Sequence, residues 1–323
     1  MKEIFLENGT VTVREAAIPA RPQRYSLLRL MVAGICNTDL ELQQGYYGFS
    51  GRPGHEFVAE VIESDRPELI GKRVVGEINL ACTECAWCRK GLGRHCPNRT
   101  VLGIVNQPGA FAEYFVLPDR NLHVLPDWLP IERAVFTEPL AAACEILDQV
   151  TIPPGEAVAV LGDGKLGLLV AQVLAVHGYP VRLFGRHWEK LRIAAAAGVL
   201  TELTNGKLPA AEFDWVVDAT GSPEGLQAAA FMTKPRGAVI LKSTVHGNVS
   251  IDMAPLIVNE ITLIGSRCGR FETALPLIEH ELIRLEDMIT ARFPLSEGPA
   301  AFARAAEREA LKVLIDGAPL AAG

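Results

Sequence analysis

The 323-residue sequence has neither an excess of basic residues nor a long apolar run. Its 31 lysines and arginines are outnumbered by 38 aspartates and glutamates, and the net charge of -7 argues against a nucleic-acid or anionic-membrane partner. No window approaches about 18 uninterrupted apolar residues, and the opening Met1-Lys2-Glu3-Ile4 carries no secretion signal. These absences lead us to expect a cytoplasmic protein with a small-molecule partner.

Cysteine occurs in an odd number, seven, which does not suit a framework of disulfides. Four of the cysteines fall within fifteen residues, with the spacing Cys82-x2-Cys85-x2-Cys88-x7-Cys96. Because Zn2+ prefers a closed tetrahedron of four thiolates, this loop predicts a structural zinc site without an open position for substrate. The alternative, four unligated surface thiols, would be liable to oxidation.

Composition and length suggest a globular enzyme of about two domains, with 49% hydrophobic and 21% charged residues. The first 120 residues hold short alternating or β-branched runs broken by glycine and proline, which predict a small antiparallel β-domain. From about Glu138, short apolar strands alternate with helices, which predicts a doubly wound parallel sheet. The pattern after Arg267 departs from this alternation, so we assign the tail to the first domain, which is then discontinuous.

A glycine turn lies between an apolar strand and an apolar helix and reads Gly162-Asp163-Gly164-Lys165-Leu166-Gly167. In that context the G-x-G-x-x-G pattern predicts a dinucleotide site, because glycines allow a pyrophosphate to approach the amino terminus of the helix. We expect Gly162, Gly164, Lys165, Leu166 and Gly167 to contact the cofactor. The alternative is a turn with a purely structural role.

The end of the next strand indicates which nicotinamide cofactor binds, because an acidic residue there accepts hydrogen bonds from the ribose hydroxyls. The sequence at this place is Phe184-Gly185-Arg186-His187, without a carboxylate. Arg186, with His187 and Lys190 nearby, could pair with a 2'-phosphate next to Gly185. The sequence thus favours NADP(H); the alternative is a solvated Arg186 and NAD(H).

Metal-binding residue types also gather near the start of the chain. Cys36 and His55 are of the types that bind zinc through thiolate sulfur and imidazole nitrogen. The carboxylates Asp39 and Glu56 are close enough in sequence to serve as ligands or to orient the ligands. We predict that the chemistry of the chain is assembled here.

Taken together, these features resemble the zinc-dependent medium-chain alcohol and polyol dehydrogenases over nearly the whole chain. The segments that carry the resemblance are Gly34-Ile35-Cys36-Asn37-Thr38-Asp39, Gly54-His55-Glu56, the four-cysteine loop, Glu138-Pro139-Leu140-Ala141, the glycine turn and Leu311-Lys312-Val313-Leu314. The resemblance implies an α/β fold with a Rossmann domain at residues 144–266. A discontinuous GroES-like catalytic domain would comprise residues 1–143 and 267–323, with a structural zinc lobe at 82–96. It also implies a homodimer or homotetramer.

The same resemblance implies a ligand set for a second, catalytic zinc ion. Cys36, His55 and Glu56 would hold it, with Glu138 as the alternative ligand. Asp39 matches a carboxylate that orients the ligating histidine.

Further roles are implied for residues around that zinc ion and the cofactor. Thr38 matches the hydroxyl that touches the alcohol oxygen and passes its proton on. Glu41 stands where many relatives have a histidine that ends the proton relay. Lys312 matches a cation at the cofactor pyrophosphate, although a solvated lysine on an edge strand is the alternative. Arg267 belongs to a segment expected near the nicotinamide.

The reaction implied is hydride transfer between an alcohol and the nicotinamide, with zinc supplying Lewis-acid chemistry. Tyr46, Tyr47 and Phe49 could wall an aromatic substrate pocket or form a packed lid. Two other hypotheses stay open. One is a zinc-independent quinone or enone reductase of the same superfamily, and the other is a non-catalytic NADPH-binding redox sensor.

Overall fold

The computed structural model describes residues 1–244 and 250–317. They form two compact units, Met1–Glu138 together with the described residues from Ile289 onward, and Pro139–Met288. Residues 245–249 and 318–323, which the predicted domains include, lie outside the described residues. Within the described part of the chain, no helix has the length and apolar character that a membrane crossing needs.

The chain up to the second unit is rich in short strands. They are β1 (Lys2–Glu7), β2 (Thr10–Glu15), β3 (Tyr25–Gly34), β4 (Glu56–Glu63), β5 (Arg73–Gly76), β6 (Asn79–Leu80), β7 (Thr100–Leu102), β8 (Asn106–Gln107), β9 (Tyr114–Pro118) and β10 (Leu122–Val124). The α-helices of this stretch are α1 (Asn37–Gln43), α2 (Ala86–Arg89) and α3 (Ile131–Ala134), and α4 (Thr137–Gln149) begins here and continues into the second unit.

Strands and helices then alternate, and the chain returns to the first unit at its end. The second unit contains β11 (Val158–Leu161), α5 (Lys165–Val176), β12 (Val181–Gly185), α6 (Trp188–Ala196), β13 (Leu200–Leu203), β14 (Phe213–Asp218), α7 (Gly225–Met232), β15 (Thr233–Leu241), α8 (Ala254–Val258), β16 (Thr262–Gly265) and α9 (Phe271–Glu279). The returning elements are β17 (Ile289–Pro294), α10 (Gly298–Ala305) and β18 (Lys312–Asp316).

In the first unit, one sheet has the order β10-β5-β4-β3-β18-β17, with β9 also paired to β3. The closing strand β18 runs antiparallel to β3 and parallel to β17, so the end of the chain completes a sheet that its beginning starts. The buried rings of Phe57 on β4 and Phe115 on β9 meet edge to face at 4.9 Å. This arrangement confirms the prediction of a discontinuous β-rich domain.

In the second unit, six parallel strands have the order β13-β12-β11-β14-β15-β16. This is the strand order of the dinucleotide-binding Rossmann fold, whose ligands bind at the carboxyl ends of the strands where the order reverses. The core between sheet and helices is apolar, and Phe184 and Phe213 pack edge to face at 5.7 Å within it. The predicted doubly wound parallel sheet is confirmed.

The boundaries of the two units differ from those predicted, because residues 139–143 and 267–288 belong to the second unit. Gly269 packs so closely on the Ala141 backbone that a Cβ atom would overlap the Ala141 carbonyl oxygen. Arg270 forms an ion pair with Asp148 at 3.0 Å. These contacts hold the helix after the sixth strand to its own unit, whereas β17, α10 and β18 return to the first unit as predicted.

Candidate active site

The predicted site residues Cys36 and Asp39 are positioned by the start of helix α1. Cys36 is the residue before the helix, with extended backbone angles, and Asp39 sits in the first turn. Asp39 is fully buried, and its two oxygens accept hydrogen bonds from the N–H groups of Cys36 at 2.9 Å and Gly54 at 3.1 Å. One carboxylate therefore ties the loop that carries Cys36 to the loop that carries His55.

Strand pairing brings the third residue of the cluster to the same place. Gly34 at the end of β3 pairs with Glu56 at the start of β4, so Glu56 lies beside the Cys36 loop. The ligand atoms of Cys36, His55 and Glu56 all lie within 4.8 Å of one another. Among the described residues, the buried atom Glu56 Oε1 has no hydrogen-bond partner. An orphaned carboxylate oxygen beside a half-buried thiol and a buried imidazole fits a zinc ion.

His55 is oriented toward Asp39 without a regular hydrogen bond. The separation between His55 Nδ1 and Asp39 Oδ1 is 3.5 Å, which is within reach of an ion pair. Burial alone would lower the pKa of the His55 imidazole, but the neighbouring Asp39 carboxylate and Cys36 thiol outweigh it and raise that pKa well above 6.5. Asp39 therefore lies beside the imidazole that the resemblance expects it to orient, and the orienting role stays a prediction.

The Glu56 carboxylate has a buried cationic partner that the sequence analysis did not identify. Its Oε2 atom accepts a hydrogen bond from the Lys312 ammonium, and both side chains are 1% exposed. The ammonium also lies 5.6 Å from the centre of the Phe136 ring. Asp39 and Glu56 are both buried carboxylates, and a divalent cation bound beside them would add to the counter-charge that Lys312 supplies.

A second cluster contains the four cysteines predicted to bind a structural zinc ion. All four are free thiols, with sulfur–sulfur distances of 3.5 Å for Cys85–Cys88 and Cys82–Cys96, 3.7 Å for Cys85–Cys96 and 3.9 Å for Cys82–Cys88. Sulfurs about 2.3 Å from a tetrahedral zinc ion stand about 3.8 Å apart. The cluster therefore has the dimensions of a closed four-thiolate site.

Backbone groups in the cysteine loop favour thiolate formation at two of its positions. The N–H groups of Glu84 and Cys85 donate to the Cys82 sulfur and lower its pKa to about 6. The N–H group of Cys88 likewise lowers the pKa of Cys85, whereas burial raises the pKa of Cys88 to about 12. A loop that favours thiolates at Cys82 and Cys85 but disfavours one at Cys88 needs a cation for all four sulfurs to ionise.

In the second unit, the glycine turn has the features of a pyrophosphate cradle. Gly162 has a φ of +114°, and a Cβ atom there would meet the Ala219 carbonyl oxygen at 2.6 Å. A Cβ atom on Gly167 would overlap the Gly162 carbonyl oxygen, which brings α5 close to the strand. Gly164, by contrast, faces open space, because a Cβ atom there would have no neighbour within 4 Å among the described residues. Open space before the N–H groups of α5 fits a phosphate.

The end of β12 differs from the prediction in one respect, because a carboxylate does reach it. Asp163, from the glycine turn, accepts hydrogen bonds from the N–H groups of Arg186 at 2.7 Å and His187 at 2.6 Å. Its oxygens also lie 3.0 and 3.2 Å from His187 Nδ1. Arg186 is exposed and Lys190 is half-buried.

The remaining predicted residues lie on helix α1, at Glu138, at the start of α5, and at Arg267 and Lys312. Thr38 is half-buried in the first turn of α1, and Glu41 accepts a hydrogen bond from the Asn37 side chain at 3.2 Å. Within the described residues, Glu138 is not part of the buried metal-binding cluster, and its role as a ligand stays a prediction. Lys165 and Leu166 are half-buried at the start of α5, and Arg267 is exposed. The described contact of Lys312 is with Glu56, so its role at the cofactor also stays a prediction.

Two contacts that the sequence analysis did not identify stand out. Lys312 begins the closing strand and is followed by the apolar Val313, Leu314 and Ile315, a pattern that indicates a buried cation with a partner. Asp163 is a charged residue between two glycines of the turn, where a side chain can reach the neighbouring strand. Both residues are visible in the sequence, but the sequence does not show which residues they contact.

Comparisons with known proteins identify the family. The alcohol dehydrogenase GroES-like domain matches residues 23–127, and the zinc-binding dehydrogenase domain matches residues 166–280. D-altritol 5-dehydrogenase of Agrobacterium fabrum is 30% identical over 311 residues, which cover 91% of this chain and 92% of the relative. D-arabitol-phosphate dehydrogenase of Enterococcus avium is 28% identical over 333 residues, with 94% and 93% coverage.

A solved structure supports the same assignment over the whole fold. A zinc-binding dehydrogenase from Sinorhizobium meliloti 1021, solved with bound NADP, is 28% identical, with a TM-score of 0.89 and 98% coverage of both chains. The strand order, the two domain matches and the relatives agree with the resemblance inferred from the motifs. The chain therefore belongs to the zinc-type medium-chain dehydrogenase/reductase family of oxidoreductases.

Proposed function

We propose that this protein is a zinc-dependent polyol dehydrogenase that transfers hydride between a secondary alcohol and a nicotinamide dinucleotide. The observation that carries the proposal is the cluster of the half-buried Cys36 with the buried His55 and Glu56, whose ligand atoms lie within 4.8 Å of one another. A carbonyl reductase that works without metal has no need for two buried carboxylates and a thiol around one imidazole.

The chain's own residues have separate tasks in this mechanism. Cys36, His55 and Glu56 hold the zinc ion, which supplies Lewis-acid chemistry at the substrate oxygen when bound. Asp39 keeps the His55 imidazole in position, and its bonds to the N–H groups of Cys36 and Gly54 fix the two loops relative to each other. Thr38 Oγ1 would accept the proton of the substrate hydroxyl as its own hydroxyl proton passes to solvent.

The second unit supplies the hydride acceptor. The open space at Gly164 and the N–H groups of the first turn of α5 take the cofactor pyrophosphate. Lys165 and Leu166 border this cradle, and Gly185, Arg186, His187 and Lys190 would border the adenosine ribose. The predicted preference for NADP(H) rests on the Arg186 charge. The nearby Asp163 carboxylate opposes that charge.

The substrate class comes from the relatives and from the loop after α1. Two relatives with nearly full coverage are named for D-altritol and for D-arabitol phosphate. In this chain, Tyr47, Phe49 and Arg52 line an open groove of about 560 Å³ together with residues 104–108. A groove with aromatic walls and polar backbone suits a polyol or its phosphate, whose carbon faces pack on rings while the hydroxyls are hydrogen-bonded.

A substrate panel tests the proposal. Purified protein is assayed with pentitols, hexitols, their phosphates and the matching ketoses, with both cofactors, by the absorbance of the reduced nicotinamide. Oxidation of at least one polyol, lost on chelation and restored by zinc, is expected. Reduction of enones or quinones by metal-free protein, without any polyol turnover, would contradict the proposal. A cytoplasmic location and a homodimeric or homotetrameric state stay predictions.

A further inference from the structure

The side chain of Asp163 lies at the place where a Rossmann fold discriminates between its two cofactors. In register, Leu161 of β11 pairs with Phe184 of β12, so the residues just beyond these two strands are neighbours. Asp163 is 8% exposed, and one of its oxygens accepts hydrogen bonds from two consecutive N–H groups, those of Arg186 and His187. The Asp163 carboxylate, which belongs to the turn after β11, thus occupies the space at the end of β12.

Gly185 leaves no room for a side chain at the same place. A Cβ atom on Gly185 would meet the Asp163 Oδ2 atom at 2.6 Å. The Gly185 carbonyl oxygen is also held by Thr204, which donates from its N–H at 2.7 Å and from its hydroxyl at 2.9 Å. Position 185, at the end of the second strand where an acidic residue usually stands, therefore cannot hold a side chain. Asp163 supplies the negative charge at this place.

We infer that Asp163 is a cofactor-specificity residue whose charge disfavours the 2'-phosphate of NADP(H) and offsets the attraction of Arg186. This inference rests on the proposed use of a nicotinamide dinucleotide. The two backbone N–H groups that could bind a phosphate oxygen already donate to Asp163, and its carboxylate repels a dianion placed beside it. The same carboxylate accepts hydrogen bonds from the ribose hydroxyls of NAD(H). The protein therefore uses both cofactors.

The contacts of Asp163 with Arg186 and His187 at the end of β12, here called the corner, do not by themselves require a negative charge on residue 163. An asparagine at position 163 keeps an oxygen for the N–H groups of Arg186 and His187, and its amide nitrogen can donate to His187 Nδ1. Asp163→Asn therefore keeps the shape of the corner and removes only the negative charge. Glu212→Gln is the matched control, because Glu212 precedes β14 at the amino ends of the strands and pairs with Arg182 at 2.9 Å.

The test measures dissociation constants of NADPH and NADH by nicotinamide fluorescence on the full chain with its metal. In the wild-type protein, the two constants should agree within about tenfold. Asp163→Asn should tighten NADPH relative to NADH by about tenfold or more, and Glu212→Gln should leave the ratio unchanged. An unchanged ratio in Asp163→Asn, or a shift toward NADH, overturns the inference.

Two outcomes separate this inference from the proposed function. Wild-type protein that binds neither cofactor contradicts the proposed function itself. Wild-type protein that binds NADPH more than about a hundredfold tighter than NADH overturns the inference alone, and this measurement stands even if Asp163→Asn does not fold.

Discussion

The ammonium of Lys312, on the last strand of the chain, is bonded to the carboxylate of Glu56 beside the zinc-binding cluster, and both side chains are buried. Gly34 makes this pair possible, because a Cβ atom there would overlap Glu56 Oε2 and would meet Lys312 Cδ at 3.0 Å. Strands β3, β4 and β18 thus each contribute one residue to a single buried contact. The contact explains why residues at the two ends of the sequence must fold together around the metal site.

Replacing Lys312 by methionine should destabilise the first unit by about 3 kcal/mol, because it leaves the Glu56 carboxylate buried without its counter-charge. Urea denaturation of the metal-loaded protein measures the change. The control is Arg304→Met, which breaks an exposed ion pair with Glu307 and should cost less than about 1 kcal/mol. Equal losses in the two single variants would show that the buried pair is no more important than a surface one.

Replacing Asp39 by asparagine should weaken zinc binding at Cys36, His55 and Glu56 by about 10- to 100-fold. Both Asp39 oxygens accept N–H groups, so the amide nitrogen of asparagine would face a donor. Competition with a chelator measures the affinity. Asp316→Asn serves as control, since it removes an exposed carboxylate that pairs with Arg292. An Asp39→Asn protein that retains its zinc as tightly as the wild type would exclude the orienting role.

Replacing Cys82 by serine should remove one zinc ion per chain and lower the thermal stability, while the zinc ion at Cys36 stays in place. Metal analysis and a melting curve on the same sample check both parts. Cys268→Ser is the control, because Cys268 is outside the four-cysteine cluster and its loss should leave the zinc content unchanged. A Cys82→Ser protein with the wild-type zinc content would mean that the four sulfurs bind no metal.

Replacing Arg186 by glutamine should weaken NADPH binding about tenfold and leave NADH binding nearly unchanged, because only NADPH presents a 2'-phosphate to the exposed guanidinium. The more obvious exchange, Gly185→Asp, should instead weaken both cofactors, since its side chain would collide with Asp163. Fluorescence titrations of the two variants distinguish these outcomes. Selective gain of NADH binding in Gly185→Asp would show that the corner can open.

Local patterns predict much of the fold, because each depends on residues close in sequence. The glycine turn, the apolar strand before it and the spacing of the four cysteines each indicate their structure without distant contacts. Strand Leu200–Leu203 is not predicted by the sequence; it is an edge strand with mostly exposed side chains, so it lacks the apolar run that marks the central strands. The sequence pattern assigns the helix Phe271–Glu279 to the first domain, whereas the contacts of Gly269 with Ala141 and of Arg270 with Asp148, which join residues distant in sequence, group it with the second unit.

In the candidate site, too, residues close in sequence can be predicted, whereas contacts between residues far apart in sequence cannot. Cys36, Asp39 and His55 can be predicted as site residues, because they lie close together in sequence, at the end of one strand, the start of a helix and the start of the next strand. The buried partner of Glu56 cannot be predicted in this way, since Lys312 is 256 residues away in sequence. In the sequence, Asp163 is only a variable position of the glycine motif, because its contact with Arg186 and His187 exists only once β11 and β12 lie side by side.

Zinc content and polyol oxidation, measured together on the wild-type protein and on Cys36→Ser, test the central claim most directly. We expect about two zinc ions per chain in the wild type and about one in Cys36→Ser, with polyol oxidation abolished and NADH binding retained. A wild-type protein with one zinc ion or none, or a Cys36→Ser protein that oxidises polyols at the wild-type rate, would contradict the assignment of a catalytic zinc site.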